Sequence, residues 1–160
     1  MSVQLKTAGE SDFAKLYDIR ISAFLPLYER YHDDETSPVK ESLDAFAMRM
    51  RQPDCIQYMI LYGGEAVGFI RLKPLSPERL HVSEICVSPE CQGLGIAQKV
   101  FAMVEELYPH VTIWELSTIM QEKRNCYLYE KLGYKQLNIT KTLNEHTTLV
   151  YYEKHVKSVG

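Results

Sequence analysis

The chain is 160 residues long, enough for one core that buries about two-thirds of its unfolded surface. Hydrophobic residues make up 46% and charged residues 24%, the balance of a water-soluble globular protein rather than a disordered or fibrous one. A formal net charge of -3 argues against a general nucleic-acid binder and leaves room for a local basic site.

The opening "MSVQLKTAGESDF" lacks the basic start and long apolar run of a signal peptide, and no stretch approaches about 18 uninterrupted apolar residues. A cytoplasmic protein with no membrane partner is expected. Cys55, Cys86, Cys91 and Cys126 include no CxxC pair, and His81 and His110 stand outside any close Cys/His spacing. Neither a structural metal nor a disulfide framework is signalled, and free thiols are expected. With no repeat, low-complexity tract or Pro/Gly/Ser-rich linker, residues 1–160 read as a single domain.

In chain order, "SVQLKTA" reads as a first strand. Phe13, Leu16, Ile19 or Arg20, and Ala23 recur at helical spacing in "ESDFAKLYDIRISAF", with Ser11 as its cap. "LPLYERYHDDETSP" breaks at Pro26 and Pro38, and Ser37-Pro38 supplies the cap and first turn of a second helix, "VKESLDAFAMRM". "CIQYMILYGGEAVGFIRLKP" is a hairpin turning at Gly63-Gly64 between apolar, β-branched runs, and "ERLHVSEICVS" is a further strand.

In "GIAQKVFAMVEELYP", Ile96, Val100, Met103, Val104 and Leu107 form one apolar stripe until Pro109 ends the helix. "VTIWELST" is the next strand, "EKRNCYLYEKLG" a short helix stopped by Gly133, and "YKQLNIT" and "HTTLVYYEKHV" the last two strands. The order is β, two helices, three β, α, β, α, β, β.

"VSPECQGLGIAQKV" sits between a strand and a helix. A helix N-terminus offers unpaired N–H groups and partial positive charge, and Gly93 and Gly95 would let an anion approach the backbone. No Gly-Lys-Ser/Thr follows, so this is not a Walker loop. The dinucleotide fingerprint fails as well, because its third glycine is Gln98 and the loop lies mid-chain. Two glycines alone read equally as a tight strand-to-helix turn.

The whole string from Ile85 to Ala97 resembles the acetyl-CoA signature of the GCN5-related N-acetyltransferases (GNAT), Gln/Arg-x-x-Gly-x-Gly/Ala after a hydrophobic strand and a Pro-containing turn. Gln92, Gly95 and Ala97 match it. A later family element, Asn-x-x-x-Tyr-x-x-x-Gly-Phe/Tyr, is filled by Asn125, Tyr129, Gly133 and Tyr134 in "NCYLYEKLGY". The element order fits nearly the whole chain. The resemblance implies an α/β (α+β) GNAT fold: a mixed, mostly antiparallel central sheet of about seven strands, splayed at strands 4 and 5 and flanked by about four helices.

It also implies a chemistry, the transfer of an acetyl group from acetyl-CoA directly to a primary amine, with no metal. Backbone amides of Gln92, Gly93, Leu94, Gly95, Ile96 and Ala97, with Gln98 near the helix start, would hold the pyrophosphate. Ile85, Cys86 and Val87 would pair with the pantetheine arm where strands 4 and 5 part, as an added strand would. Asn125 would hydrogen-bond the arm, and Tyr129 would protonate the leaving thiolate. Glu84 is the candidate base or water-organising group, against the alternative of an ion pair or solvent-facing strand residue. His81 ranks below it as a proton relay, and Cys86 reads as strand packing because no His/Asp pattern supports an acyl-cysteine.

In the family the first two helices and their connection cover the acceptor. Here that connection carries Tyr28, Tyr31, His32, Asp33, Asp34 and Glu35. Its acids and tyrosines suit a cationic small-molecule or peptide amine by charge and cation–π attraction, and equally suit a solvated loop before a helix N-terminus. A non-catalytic acetyl-CoA or CoA sensor on the same fold is the rival reading. The tyrosine-rich final strand either completes the sheet or pairs with a second copy as a homodimer.

Overall fold

The structure is a computed structural model that describes residues 2–32, 34 and 37–157. Its strands are β1 Val3–Thr7, β2 Ile56–Tyr62, β3 Glu65–Pro74, β4 Arg79–Val87, β5 Ile113–Ile119, β6 Lys135–Thr142 and β7 Thr148–His155. Its α-helices are α1 Phe13–Tyr31, α2 Leu43–Met50, α3 Ile96–Leu107 and α4 Lys123–Lys131. The seven strands form one sheet in the order β1-β2-β3-β4-β5-β7-β6. Pairs β1/β2, β2/β3, β5/β7 and β6/β7 are antiparallel, and β4/β5 is parallel. The β4/β5 ladder runs only from Arg79–Ile113 to His81–Glu115. No helix among the described residues is long and apolar enough to cross a membrane.

The chain divides into two compact units, one of Met1–Lys73 with Ser83–Phe101, the other of Pro74–Val82 with Ala102–Gly160. The first holds a core of Phe13 and Leu16 from α1, Phe46, Ala47 and Met50 from α2, Met59 and Phe69 from the hairpin, and Cys86 from β4. These residues recur at helical spacing on the helices and alternate on the strands, which turns each element's apolar side to one cluster. Gly63 and Gly64 make the hairpin turn with φ of 57° and 83°, a conformation glycine adopts without a Cβ penalty.

Helix α1 departs from the sequence reading at both ends. Asp12, rather than Ser11, stands at its N-cap, and the Asp12 carboxylate caps no N–H of α1 but accepts the Gly9 N–H at 2.9 Å across the preceding 3-10 turn, Glu10–Asp12. The helix then runs through Pro26 to Tyr31 instead of stopping, although a proline inside a helix leaves the carbonyl four residues earlier without its donor. Its last turn is fixed by His32, which takes the left-handed conformation (φ 50°) and donates its N–H to the Tyr28 carbonyl at 2.7 Å. Ser37 caps only the 3-10 turn Pro38–Lys40; α2 begins later, where the Ser42 hydroxyl accepts the Ala45 N–H at 3.1 Å.

In the second unit Trp114, Leu116, Val150 and Tyr152 alternate inward from β5 and β7 and bury with Cys126 and Tyr129 of α4 and Tyr134. The Tyr129 ring lies 6.1 Å from each of the Tyr134 and Tyr152 rings. Gly133 ends α4 with φ 99°, as its C′ position requires.

Candidate functional site

β4 ends at Val87, and the chain turns through a 3-10 turn, Pro89–Cys91, into α3. The turn uses some of the amides assigned to an anion. Cys91 N–H donates to Ser88 O at 2.9 Å, and Gln92 N–H donates to Pro89 O at 3.2 Å. The Gln92 N–H thus takes part in the turn, and its side chain reaches back from Nε2 to Val87 O at 3.0 Å. At the other end Lys99 N–H donates to Gly95 O at 3.2 Å as the helix begins.

Between these bonds lie the amides of Gly93, Leu94, Gly95, Ile96, Ala97 and Gln98. Gly93 and Gly95 have φ of 82° and 78°, and a Cβ built on Gly95 would meet nothing within 4 Å. A backbone open on that side, at the positive end of a 12-residue helix, fits a phosphate group.

Glu84 of β4 does not stand alone. Arg20 of α1 grips it with both arms, Nε to Oε1 at 2.7 Å and Nη2 to Oε2 at 3.0 Å. The Arg20 side chain is 7% exposed and that of Glu84 14%. Arg20 also donates from Nη1 to Glu41 Oε1 at 2.9 Å and to the Pro38 carbonyl at 3.2 Å. Glu41 takes a second two-armed pair from Arg49 of α2, both contacts at 2.8 Å. Burial works to raise the Glu41 carboxyl, but the Arg49 hydrogen bonds and the charges of Arg49, Arg20 and Arg71 outweigh it and leave it below the usual carboxylate range.

This network was missed in the sequence. Period alone left Ile19 or Arg20 on the buried stripe, and a buried arginine becomes legible only through carboxylates 21 and 64 residues away. Arg71 of β3, also buried, donates to Arg49 O at 2.9 Å and Gln52 Oε1 at 2.6 Å, holding the end of α2.

Cys86 is buried, and that burial, with the charge of Glu84 next, pushes its thiol well up, so it rests protonated as packing. Ile85 and Val87 on either side of it are partly exposed. On α4, Asn125 is exposed and Tyr129 is buried. Desolvation, helped by the nearby Cys126, raises the Tyr129 hydroxyl to about 12, so it carries its proton throughout the neutral range.

Among the acceptor-side residues, Asp33 and Glu35 lie outside the described residues. Asp34 is exposed and already engaged. Its carboxylate accepts the Tyr28 hydroxyl and lies 3.4 Å from Lys40 Nζ, which itself sits 4.8 Å above the Tyr28 ring. The Tyr28 bond first, then Lys40, hold its carboxyl below the usual range. Tyr31 ends α1, with the Arg30 guanidinium 5.8 Å from its ring centre. His81 lies 4.0 Å from Glu115, and Arg79 of the same strand bridges Glu115 and Glu153 at 3.5 and 3.1 Å.

Residues 13–134 match the family model for the acetyltransferase (GNAT) family, a span that includes both the loop and α4. The chain belongs to the GNAT acetyltransferase family. No curated protein sequence matches it.

Solved structures share the GNAT fold at low identity. The PaiA N-acetyltransferase of Thermoplasma acidophilum, solved with coenzyme A, is similar at 16% identity and TM-score 0.74, over 98% of this chain and 100% of that one. The ribosomal-protein-S18-alanine N-acetyltransferase of Escherichia coli is similar at 15% identity and TM-score 0.76, over 99% and 97%. A spermidine N-acetyltransferase chimera from Vibrio cholerae is similar at 12% identity and TM-score 0.76, over 97% and 96%.

Proposed function

We propose that this GNAT protein transfers the acetyl group of acetyl-CoA to a primary amine of a small molecule or peptide. The observation that carries the proposal is the run of amides from Gly93 to Gln98, opened by two glycines at positive φ and closed by the first turn of α3. Those amides bind the pyrophosphate of the donor, and the exposed Asn125 bonds its arm. The neighbours named for ribosomal alanine and spermidine both act on amines, which supports the acceptor class.

Tyr129 returns a proton to the departing thiolate, a role that suits a buried hydroxyl still protonated near pH 7. Both Glu84 oxygens already accept a guanidinium N–H, so Glu84 serves by holding water that takes the amine proton, rather than by swinging to the amine itself. Holding amine and thioester together supplies much of the acceleration by orientation.

That same grip on Glu84 is the one observation favouring a second reading, a CoA sensor without acceptor chemistry. A thiol-release assay with acetyl-CoA across polyamines, amino acids, aminoglycosides and peptides, run beside a CoA-binding titration, separates the two. Release with at least one amine supports transfer. Binding without release for any amine supports the sensor, and no binding removes both.

A further inference from the structure

Gly68 lies inside β3, where a side chain would be expected to pack. The register of β2 with β3 slips there, Ile60 facing Gly68 and Leu61 facing Ala66, so Val67 is an extra residue on β3. A Cβ built on Gly68 would lie 2.0 Å from the Cys86 carbonyl oxygen, 3.0 Å from its carbon and 3.1 Å from Val87 Cα. The oxygen is the nearest atom, so the Cys86 carbonyl points at the bare face of Gly68. No larger residue leaves that space.

The consequence falls on the next residue. No cis peptide occurs among the described residues, and in a trans peptide the N–H points opposite to the carbonyl it follows. With the Cys86 carbonyl turned to β3, the Val87 N–H is turned away from it. The neighbouring contacts agree with this alternation: Ser88 N–H donates to Val67 O of β3 at 2.7 Å, whereas the Val87 carbonyl is met by Gln92 Nε2 of the loop at 3.0 Å. Gln92 therefore covers the Val87 acceptor, and the donor of the same residue remains on the side away from β3.

We propose that Gly68 is a positioning residue for the acyl donor: its missing side chain seats the Cys86 carbonyl against β3 and so aims the Val87 N–H at an amide carbonyl of a pantetheine arm laid along β4. This rests on the acetyl-CoA reading above. It assigns to β3 a part of donor recognition that the signature loop does not contain. Any side chain at position 68 forces the Cys86–Val87 peptide to shift, and the three nearest atoms it meets belong to Cys86 and Val87 rather than to Gly93–Gln98.

Two probes separate the arm from the phosphates: coenzyme A, and adenosine 3′-phosphate 5′-diphosphate, which keeps the pyrophosphate and lacks the arm. In Gly68→Ala the Kd for coenzyme A is expected to rise about tenfold, the loss of roughly one hydrogen bond, while the Kd for the arm-free nucleotide stays within about twofold. Equal weakening of both, or of neither, overturns the proposal.

The unaltered protein gives a second readout that does not depend on the variant folding. In a 15N-valine sample the Val87 amide is expected to exchange quickly when free, to become protected on adding coenzyme A, and to stay unprotected with the arm-free nucleotide. A Val87 amide already protected in the free protein overturns the proposal. If the protein binds neither probe, the acetyl-CoA reading falls with its ligand, whereas Val87 exchange in the free protein still shows whether Gly68 aims that amide.

Discussion

In the proposed transfer Tyr129 and Gly95 each have one separable job. Tyr129 is surrounded by Tyr134 and Tyr152 rings and raised to about 12 by burial, so a phenylalanine keeps the packing and removes only the donor proton. Tyr129→Phe is expected to slow acetyl transfer about a hundredfold, the lower end of acid catalysis, with the coenzyme A Kd within about twofold. Stopped-flow thiol release and a binding titration check the two halves; unchanged turnover removes Tyr129 as the acid. Gly95 is the opposite case. Its Cβ would meet nothing within 4 Å, so Gly95→Glu is expected to fail through φ strain of about 1–2 kcal/mol and through negative charge set where the donor's phosphates are proposed to bind. Calorimetry is expected to detect no coenzyme A binding in a variant that still folds.

These two residues were legible because motifs carried them. Arg20 was not, since its meaning depends on Glu41 and Glu84, which no local spacing links to it. Gln92 was half legible: the motif marked it, but its N–H and side chain serve the turn and Val87.

At the scale of elements, the first helices and β4 are joined by charge as well as by the apolar core. Removing one partner of a buried ion pair leaves the other charged and desolvated, a loss of about 3–5 kcal/mol. Arg20→Leu strands Glu84 and takes away one Glu41 partner, and a fall in Tm on the order of 10 °C is expected by calorimetry. Arg51→Gln breaks an exposed pair with Glu10 and is expected to leave Tm unmoved. Equal effects would mean that the Arg20 network contributes no more than a surface pair.

The network also sets an acid window. The Glu41 carboxyl is lowered from 4.5, so its stabilisation is complete above that value and drains away as pH falls below it. Arg49→Gln, which removes the principal cause of the lowering, is expected to flatten the loss of Tm below pH 4.5. The extent of α1 was harder to read for a related reason. A proline costs a helix interior about 3 kcal/mol, which made Pro26 a sensible stop. The His32 cap and the Tyr28–Asp34–Lys40 contacts, all after it in sequence, supply bonds that hold the last turn.

For the whole molecule, the succession of elements was legible and the lateral order of the last strands was not. Sequence order places β6 beside β5, yet β7 takes that position and β6 forms the edge. The residues explain this choice. β7 turns Val150 and Tyr152 into a core, whereas β6, "KQLNITKT", is exposed along almost its whole length and carries Lys135 and Lys141, which disfavour pairing with another chain.

Putting β7 inside buries Tyr152 beside Tyr129 and Tyr134, and this gives the protein a weakness at high pH. Desolvation raises all three hydroxyls above their ordinary 10.0, Tyr129 to about 12. Below pH 10 folded and unfolded chains both hold these protons, and stability is unaffected. Between 10 and 12 the unfolded chain releases them while the folded chain keeps them, so each unit of pH favours unfolding, with roughly 3 kcal/mol lost through Tyr129 alone. Phenolate absorbance is therefore expected to rise in two stages, exposed tyrosines first and the buried set together with loss of circular dichroism. Tyr129→Phe should delay the second stage, and buried tyrosines that titrate near pH 10 in a folded chain would show that their environment does not exclude the charge.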